Sequence, residues 1–117
     1  MTAALTPDVP QLDPAEGARQ VDAGAFLLDV REPDEWAAGH AGAATHVPLG
    51  QLPGRLAEIP ADRPVVAVCR AGGRSQQAAT FLRQQGIDAA NLQGGMQAWA
   101  AAGLDVTDER GGPGSVI

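Results

Sequence analysis

The chain has 117 residues, of which 44% are hydrophobic and 19% charged, so one globular domain is expected rather than a disordered tail. Its net charge of -6 argues against binding to nucleic acid or to an anionic membrane. A single cysteine and two histidines exclude an intramolecular disulfide and leave too few ligands for a closed zinc site, so we expect no metal and no cofactor.

The N-terminal sequence MTAALTPDVP lacks the basic and apolar pattern of a signal peptide. No stretch approaches the roughly 20 apolar residues that a membrane span needs. We therefore expect a cytoplasmic protein in a reducing environment, and a monomer is the simplest expectation for its oligomeric state.

The first half of the chain alternates short apolar runs with helical patterns. A weak strand is predicted at residues 9–12, and an Asp-Pro pair then indicates a helix over 13–22. The apolar run AFLLDV predicts a buried strand at 25–30. A Glu-Pro-Asp start predicts a short helix over 32–38, and a brief strand is predicted at 45–47.

The second half continues the same alternation. A short helix is predicted over 52–59, followed at 64–69 by PVVAVC, a β-branched run typical of a strand covered on both faces. A helix over 75–86, a strand at 89–92 and a last helix over 96–102 complete the pattern. Strands that alternate with helices predict an α/β fold with a central parallel sheet of about five strands and helices on both faces.

The predicted domain occupies residues 9–106, after a short N-terminal extension over 1–8. Residues 107–117 are rich in glycine and proline and close with GGPGSVI, so we expect a flexible C-terminal tail.

The segment CRAGGRS carries the strongest chemical signal. Its cysteine, Cys69, follows a buried strand, and sites in α/β sheets form where loops leave the carboxyl ends of strands. Small residues let the loop turn backbone N–H groups inward, and the next helix directs its positive end to the same place. Such surroundings favour a thiolate. The predicted anion-binding residues are Arg70, Ala71, Gly72, Gly73, Arg74 and Ser75.

Three segments resemble, in the right order, the signatures of the single-domain rhodaneses, or thiosulfate sulfurtransferases. They are LLDVREPDEWAAGHAGAATHVPL, CRAGGRS as the active-site loop, and LQGGMQAWAAAGLDV. One departure is Gly42-Ala43, where the family commonly has Pro-Gly, and it affects only the local loop geometry. The resemblance covers about residues 9–106 and implies the rhodanese three-layer α/β sandwich.

The same resemblance implies a two-step sulfur transfer. Cys69 would take a sulfane sulfur from thiosulfate or a similar small anionic donor, and would pass it from a persulfide to cyanide, a thiol or a protein acceptor. Covalent catalysis of this kind divides one transfer into two easier steps. Arg70 and Arg74 would bind the sulfonate end of the donor.

Supporting roles are expected for three residues near the loop. Asp29 and Arg31 end the neighbouring strand, where they could orient the loop arginines or contact substrate, and a structural pairing of Asp29 with an arginine is favoured. His40 matches a family signature position, and a hydrogen-bonded structural role is favoured over acid–base catalysis. Trp36 and Trp99 are expected to pack in the core.

Two other functions fit parts of this pattern. A persulfide carrier or a protein-interaction module would use the same loop without significant turnover. Cysteine-based phosphatases and arsenate reductases resemble the pattern Cys-x5-Arg, but here that position is Ser75, and Arg74 comes one residue early. The shorter loop leaves room for one sulfur atom rather than a tetrahedral phosphate.

Overall fold

Residues 5–117 are described by a computed structural model, and residues 1–4 of the predicted N-terminal extension lie outside the described residues. The strands are β1 (Gln11–Leu12), β2 (Phe26–Asp29), β3 (Thr45–His46), β4 (Val65–Val68) and β5 (Ala89–Leu92). They form one parallel sheet in the order β1, β5, β4, β2, β3. The prediction of a five-stranded parallel sheet is therefore confirmed.

Four α-helices connect and cover these strands in the described part of the chain. They are α1 (Pro14–Asp22), α2 (Pro33–Ala38), α3 (Gly73–Gln84) and α4 (Gly95–Ala101). Within residues 5–117, no helix has both the length and the apolar character needed to cross a membrane.

The predicted helix over 52–59 differs from the structure. Two 3₁₀ segments occupy this region, Leu49–Gln51 and Pro53–Glu58, and the second contains a kink at Arg55. Gly54 lowers helix propensity, and Pro60 limits the run to a short segment, so a regular α-helix is disfavoured here.

The alternation of side chains along β4 builds the core on both faces of the sheet. Val65, Ala67 and the following Cys69 join a buried cluster that includes Ala78, Ala79 and Leu82 of α3. Val66 and Val68 face the other way, into a cluster that includes Met96 and Trp99 of α4 and partly buried residues of α1. Because successive strand side chains point to opposite faces, the residue after Val68 must face α3. This places Cys69 beneath the start of α3.

The N-terminus of α4 anchors the loop that follows β4. The N–H of Met96 donates to the Cys69 carbonyl at 2.7 Å, and the N–H of Gln97 donates to the Arg70 carbonyl at 3.1 Å. Gly95 makes this approach possible, because a Cβ there would lie 2.5 Å from the Cys69 and Arg70 carbonyl oxygens. Its φ of +61° also lies in the left-handed region that favours glycine.

The C-terminal segment 107–117, for which we expected flexibility, is folded against the domain. Thr107 pairs with His40 in an antiparallel bridge, and the N–H of Ser115 donates to the Ala38 carbonyl at 2.8 Å. Asp108 closes the intervening turn by accepting from two backbone N–H groups. Val116 packs against the α4 side of the core. These contacts join distant parts of the chain, so the local Gly-Pro composition did not indicate them.

We predict that Gly95→Ala destabilises the protein by roughly 2–4 kcal/mol, because the new methyl group would collide with two carbonyl groups at a strained φ. Urea unfolding measures the change. The matched control is Gly54→Ala, where a Cβ meets nothing within 4 Å and should leave stability unchanged or slightly higher. Equal unfolding midpoints for the two variants would contradict this role of Gly95.

Candidate active site

The Cys69 thiol lies directly under the loop that joins β4 to α3. The residue is 1% exposed, whereas Arg70, Ala71 and Gly73 above it are exposed. Gly72 is the N-cap of α3 and has a φ of 111°, which turns the backbone sharply into the helix. The sulfur is therefore buried close to loop residues that are themselves exposed.

Hydrogen-bond donors of the loop converge on the sulfur. The N–H of Gly72 lies 3.1 Å from Cys69 Sγ, and Ser75 Oγ lies 3.2 Å from it. Burial raises the pKa of the Cys69 thiol, but the Ser75 hydroxyl and the N–H groups of Ser75, Gly72 and Ala71 outweigh it, so the pKa lies below its ordinary value. The arrangement can hold a negative charge on sulfur, which is the nucleophilic form of cysteine.

The two loop arginines have different surroundings. Arg74 makes a bidentate ion pair with Glu35 of α2, with Nη1 and Nη2 at 2.6 and 2.8 Å from its carboxylate oxygens. Arg70 is exposed, and its Nε donates to the main-chain oxygen of Ile117 at 2.9 Å. With the Gln97 amide oriented to suit its neighbours, its oxygen accepts from both Arg70 Nη atoms at 3.1 Å. Arg74 is thus tied to a protein carboxylate, while Arg70 stands at the surface.

Asp29 and Arg31 form a buried pair with each other rather than with a loop arginine. Both side chains are 0% exposed, and Arg31 Nη2 lies 2.8 Å from Asp29 Oδ2. The same Nη2 donates to the Gly39 carbonyl at 2.7 Å, and Nη1 donates to the Glu35 carbonyl at 3.3 Å. The pair therefore fixes α2 and the turn after it to the end of β2.

His40 lies in an aromatic stack beside this pair. Its ring is 3.6 Å from the Trp36 ring and nearly parallel to it, and its Nδ1 lies 2.8 Å from the Trp36 carbonyl oxygen. His46 stacks near the same indole, at 4.8 Å between ring centroids. Trp36 is partly buried and stacks with both imidazoles, whereas Trp99 is 4% exposed in the core.

Two residues of this region were missed by sequence reasoning. Glu35 lies within the predicted helix over 32–38, where it completes a capping box with Glu32, and nothing local indicates that it reaches Arg74. Asn91 is 4% exposed and accepts from Ser75 Oγ at 2.6 Å through Oδ1. A polar side chain inside the apolar run of a predicted strand is a signal that could have identified Asn91.

The fold agrees with comparisons to known proteins. The rhodanese-like domain model matches residues 13–102 of the chain. The chain belongs to the rhodanese-like domain family. Residues 9–106, the domain limits expected from the sequence, include this whole match.

Individual members of the rhodanese-like family support the same assignment. A sulfurtransferase of Allochromatium vinosum is 45% identical over 87 residues, which are 74% of this chain and 81% of that protein. The thiosulfate sulfurtransferase GlpE of Stutzerimonas stutzeri is 32% identical over 93 residues, which are 79% of this chain and 85% of that protein. A crystal structure of a rhodanese-related protein from Thermoplasma volcanium has a TM-score of 0.80 and 29% identity, covering 86% of this chain and 99% of that one.

The Glu35–Arg74 pair of this rhodanese-like domain should make its stability depend on pH. The hydrogen bond from Arg74 lowers the pKa of Glu35 from 4.5 to about 2, against the opposing effect of burial. A folded-state pKa below the unfolded one stabilises the protein above about pH 4.5, and this contribution disappears as pH falls toward 2.

We predict that Glu35→Gln lowers the free energy of unfolding by ~1 kcal/mol at neutral pH. The difference from the natural protein should shrink steadily in acid, because protonation of Glu35 then breaks the same ion pair. Urea unfolding at several pH values measures it. Asp34→Asn, an exposed change one position earlier on α2, serves as the control. A difference for Glu35→Gln that stays constant into acid would mean that the charge of Glu35 does not stabilise the fold.

Proposed function

We propose that the protein is a sulfurtransferase that moves a sulfane sulfur from thiosulfate, or a similar small anionic donor, through a persulfide on Cys69 to a thiophilic acceptor. The observation that carries this proposal is the convergence of the Gly72 N–H and the Ser75 hydroxyl on the Cys69 sulfur. Membership in the rhodanese-like family and the similarity to a named thiosulfate sulfurtransferase support it.

In the first step the Cys69 thiolate attacks the outer sulfur of thiosulfate. A new S–S bond forms on Cys69, the bond between the two donor sulfurs breaks, and its electron pair leaves with sulfite. The loop N–H groups that face Sγ are in place before the reaction, so they stabilise the anionic persulfide without reorganisation of solvent.

In the second step an acceptor thiolate or cyanide attacks the outer sulfur of the persulfide. The S–S bond to Cys69 breaks, and its electron pair returns to Sγ as the thiolate. The product is an acceptor persulfide or thiocyanate. Because the same donors then hold the regenerated thiolate, they also make Cys69 a good leaving group.

The two arginines would contribute differently to donor binding. Arg70 is exposed beside the loop, and its partners Ile117 and Gln97 are exposed as well, so a donor can displace them; it is the residue we assign to the sulfonate end of the donor. Arg74 faces Glu35, which neutralises much of its charge, so its contribution would be to hold the loop in shape. This pairing also counts against a phosphatase, whose loop arginine must be free to bind phosphate.

We predict that incubation with thiosulfate adds the mass of one sulfur atom to the protein and that Cys69→Ser abolishes this addition. The same variant should also lose cyanide-dependent thiocyanate formation. Intact-protein mass spectrometry and a thiocyanate assay measure the two steps separately. A mass increase without turnover would indicate a persulfide carrier, and an unchanged mass would indicate an interaction module and overturn the proposal.

We predict that Arg70→Ala raises the KM for thiosulfate about tenfold or more, because a charge-assisted contact to the donor is lost. The melting temperature should change little, since Arg70 is exposed. Arg63→Ala is the matched control: Arg63 is also exposed, but it lies before β4, beside Phe26 at the opposite end of the strands. Proportional losses of activity and thermal stability in Arg70→Ala would contradict a role in donor binding.

A further inference from the structure

Asn91 connects the Ser75 hydroxyl to β1 through a chain of buried and partly buried hydrogen bonds. Its Oδ1 accepts from Ser75 Oγ at 2.6 Å, and its Nδ2 donates to Gln11 Oε1 at 2.9 Å and to the Gly72 carbonyl at 3.3 Å. Ser75 is 0% exposed and Asn91 is 4% exposed. Water therefore does not readily replace these partners, and each donor in this hydrogen-bond network has few alternative acceptors.

Backbone carbonyls fix the orientation of the amide side chains in this hydrogen-bond network. The Gly72 carbonyl can only accept, so the Asn91 Nδ2 must face it and Oδ1 must face Ser75. In the same way, the Val9 carbonyl accepts from Gln11 Nε2 at 3.2 Å, which leaves Gln11 Oε1 facing Asn91. Asn91 Oδ1 is thus held as a permanent acceptor beside the Ser75 hydroxyl.

Ser75 has one hydroxyl proton and two acceptors. Asn91 Oδ1 is at 2.6 Å and Cys69 Sγ is at 3.2 Å. While Cys69 is a thiol, its S–H can donate to Ser75 Oγ and the hydroxyl can donate to Asn91, so all three groups are satisfied. When Cys69 ionises, the sulfur can no longer donate, so the one hydroxyl proton can serve either the sulfur or Asn91 Oδ1 but not both.

We propose that Asn91 is a positioning residue that accepts the Ser75 hydroxyl while Cys69 is a thiol and gives it up to the sulfur when the thiol ionises. Asn91 therefore works against the thiolate and limits how strongly Ser75 stabilises it. This inference rests on the proposed role of Cys69 as the sulfur-accepting nucleophile. In that role, the same rotation of the hydroxyl would accompany release of the Cys69 thiolate in the second step of transfer.

The charged groups around the loop are engaged elsewhere. Arg70 contacts Ile117, Arg74 pairs with Glu35 of α2, and at the end of β2 there is the pair of Asp29 with Arg31. Arg74 is close enough to interact electrostatically with Cys69. Its ion pair with Glu35 does not involve Asn91, so a substitution at Asn91 leaves that ion pair in place. A substitution at Asn91 therefore acts on the thiol through Ser75 and not through these charges.

The test is the rate of iodoacetamide alkylation as a function of pH. Cys69 is the single cysteine of the chain, so every alkylation event reports on it. We expect Asn91→Leu, which keeps the side-chain volume and removes the acceptor, to speed alkylation at about pH 6 by roughly 2- to 10-fold, the factor carried by one net hydrogen bond. The plateau rate at high pH should stay the same, because the thiolate itself is unchanged.

A double-mutant cycle shows whether the effect passes through Ser75. Ser75→Ala should slow alkylation at about pH 6, and adding Asn91→Leu to Ser75→Ala should change nothing further. Gln11→Leu is the matched control, because the Gly72 carbonyl still orients Asn91 and the rate should equal that of the natural protein. Asn91→Ala, read in the same way, replaces the leucine variant if that variant does not fold.

Unchanged or slower alkylation in Asn91→Leu and Asn91→Ala would overturn the proposal, since a residue that merely holds the loop in shape would give that result. An acceleration that persists in the Ser75→Ala background would also overturn it. The alkylation assay contains no sulfur donor, so a failure of the sulfurtransferase proposal leaves its outcome unaffected and the two ideas can be judged separately.

Discussion

The site depends on the direction in which the peptide groups of one loop point. The carbonyls of Cys69 and Arg70 turn toward the N-terminus of α4, where the N–H groups of Met96 and Gln97 receive them. The peptide groups that follow can then direct their N–H groups at the sulfur. The glycine turn before α4 and the thiol of β4 are therefore parts of one arrangement, although they are far apart in sequence.

Much of the fold was predictable because its signals are local. The β-branched run of β4 and the acid-proline starts of α1 and α2 each depend on adjacent residues, and the structure has these elements at the expected places. The CRAGGRS segment likewise combines a strand end, a tight turn and a helix start within seven residues. The position of Cys69 follows from these features and from the alternation of side chains along a strand.

The features that escaped prediction depend on contacts between distant segments. The Glu35–Arg74 pair spans 39 residues of sequence, and the hydrogen bond between Ser75 and Asn91 spans 16. The C-terminal segment is held by backbone pairing with residues near His40, which its glycine-rich composition does not encode. The 3₁₀ segments show a local case, because Gly54, which lowers helix propensity, lies inside a short run that ends before Pro60.

The pair of Asp29 and Arg31 restricts how this sequence can vary. Both side chains are wholly buried, and their hydrogen bonds are satisfied by each other and by backbone groups. Loss of one partner would leave an uncompensated charge in the interior, at a cost of about 3–5 kcal/mol. Replacement of both by apolar groups would remove the charges but leave the Gly39 carbonyl without its buried donor. Sequence change at Asp29 is therefore constrained by Arg31, and change at Arg31 is constrained by the turn after α2 as well.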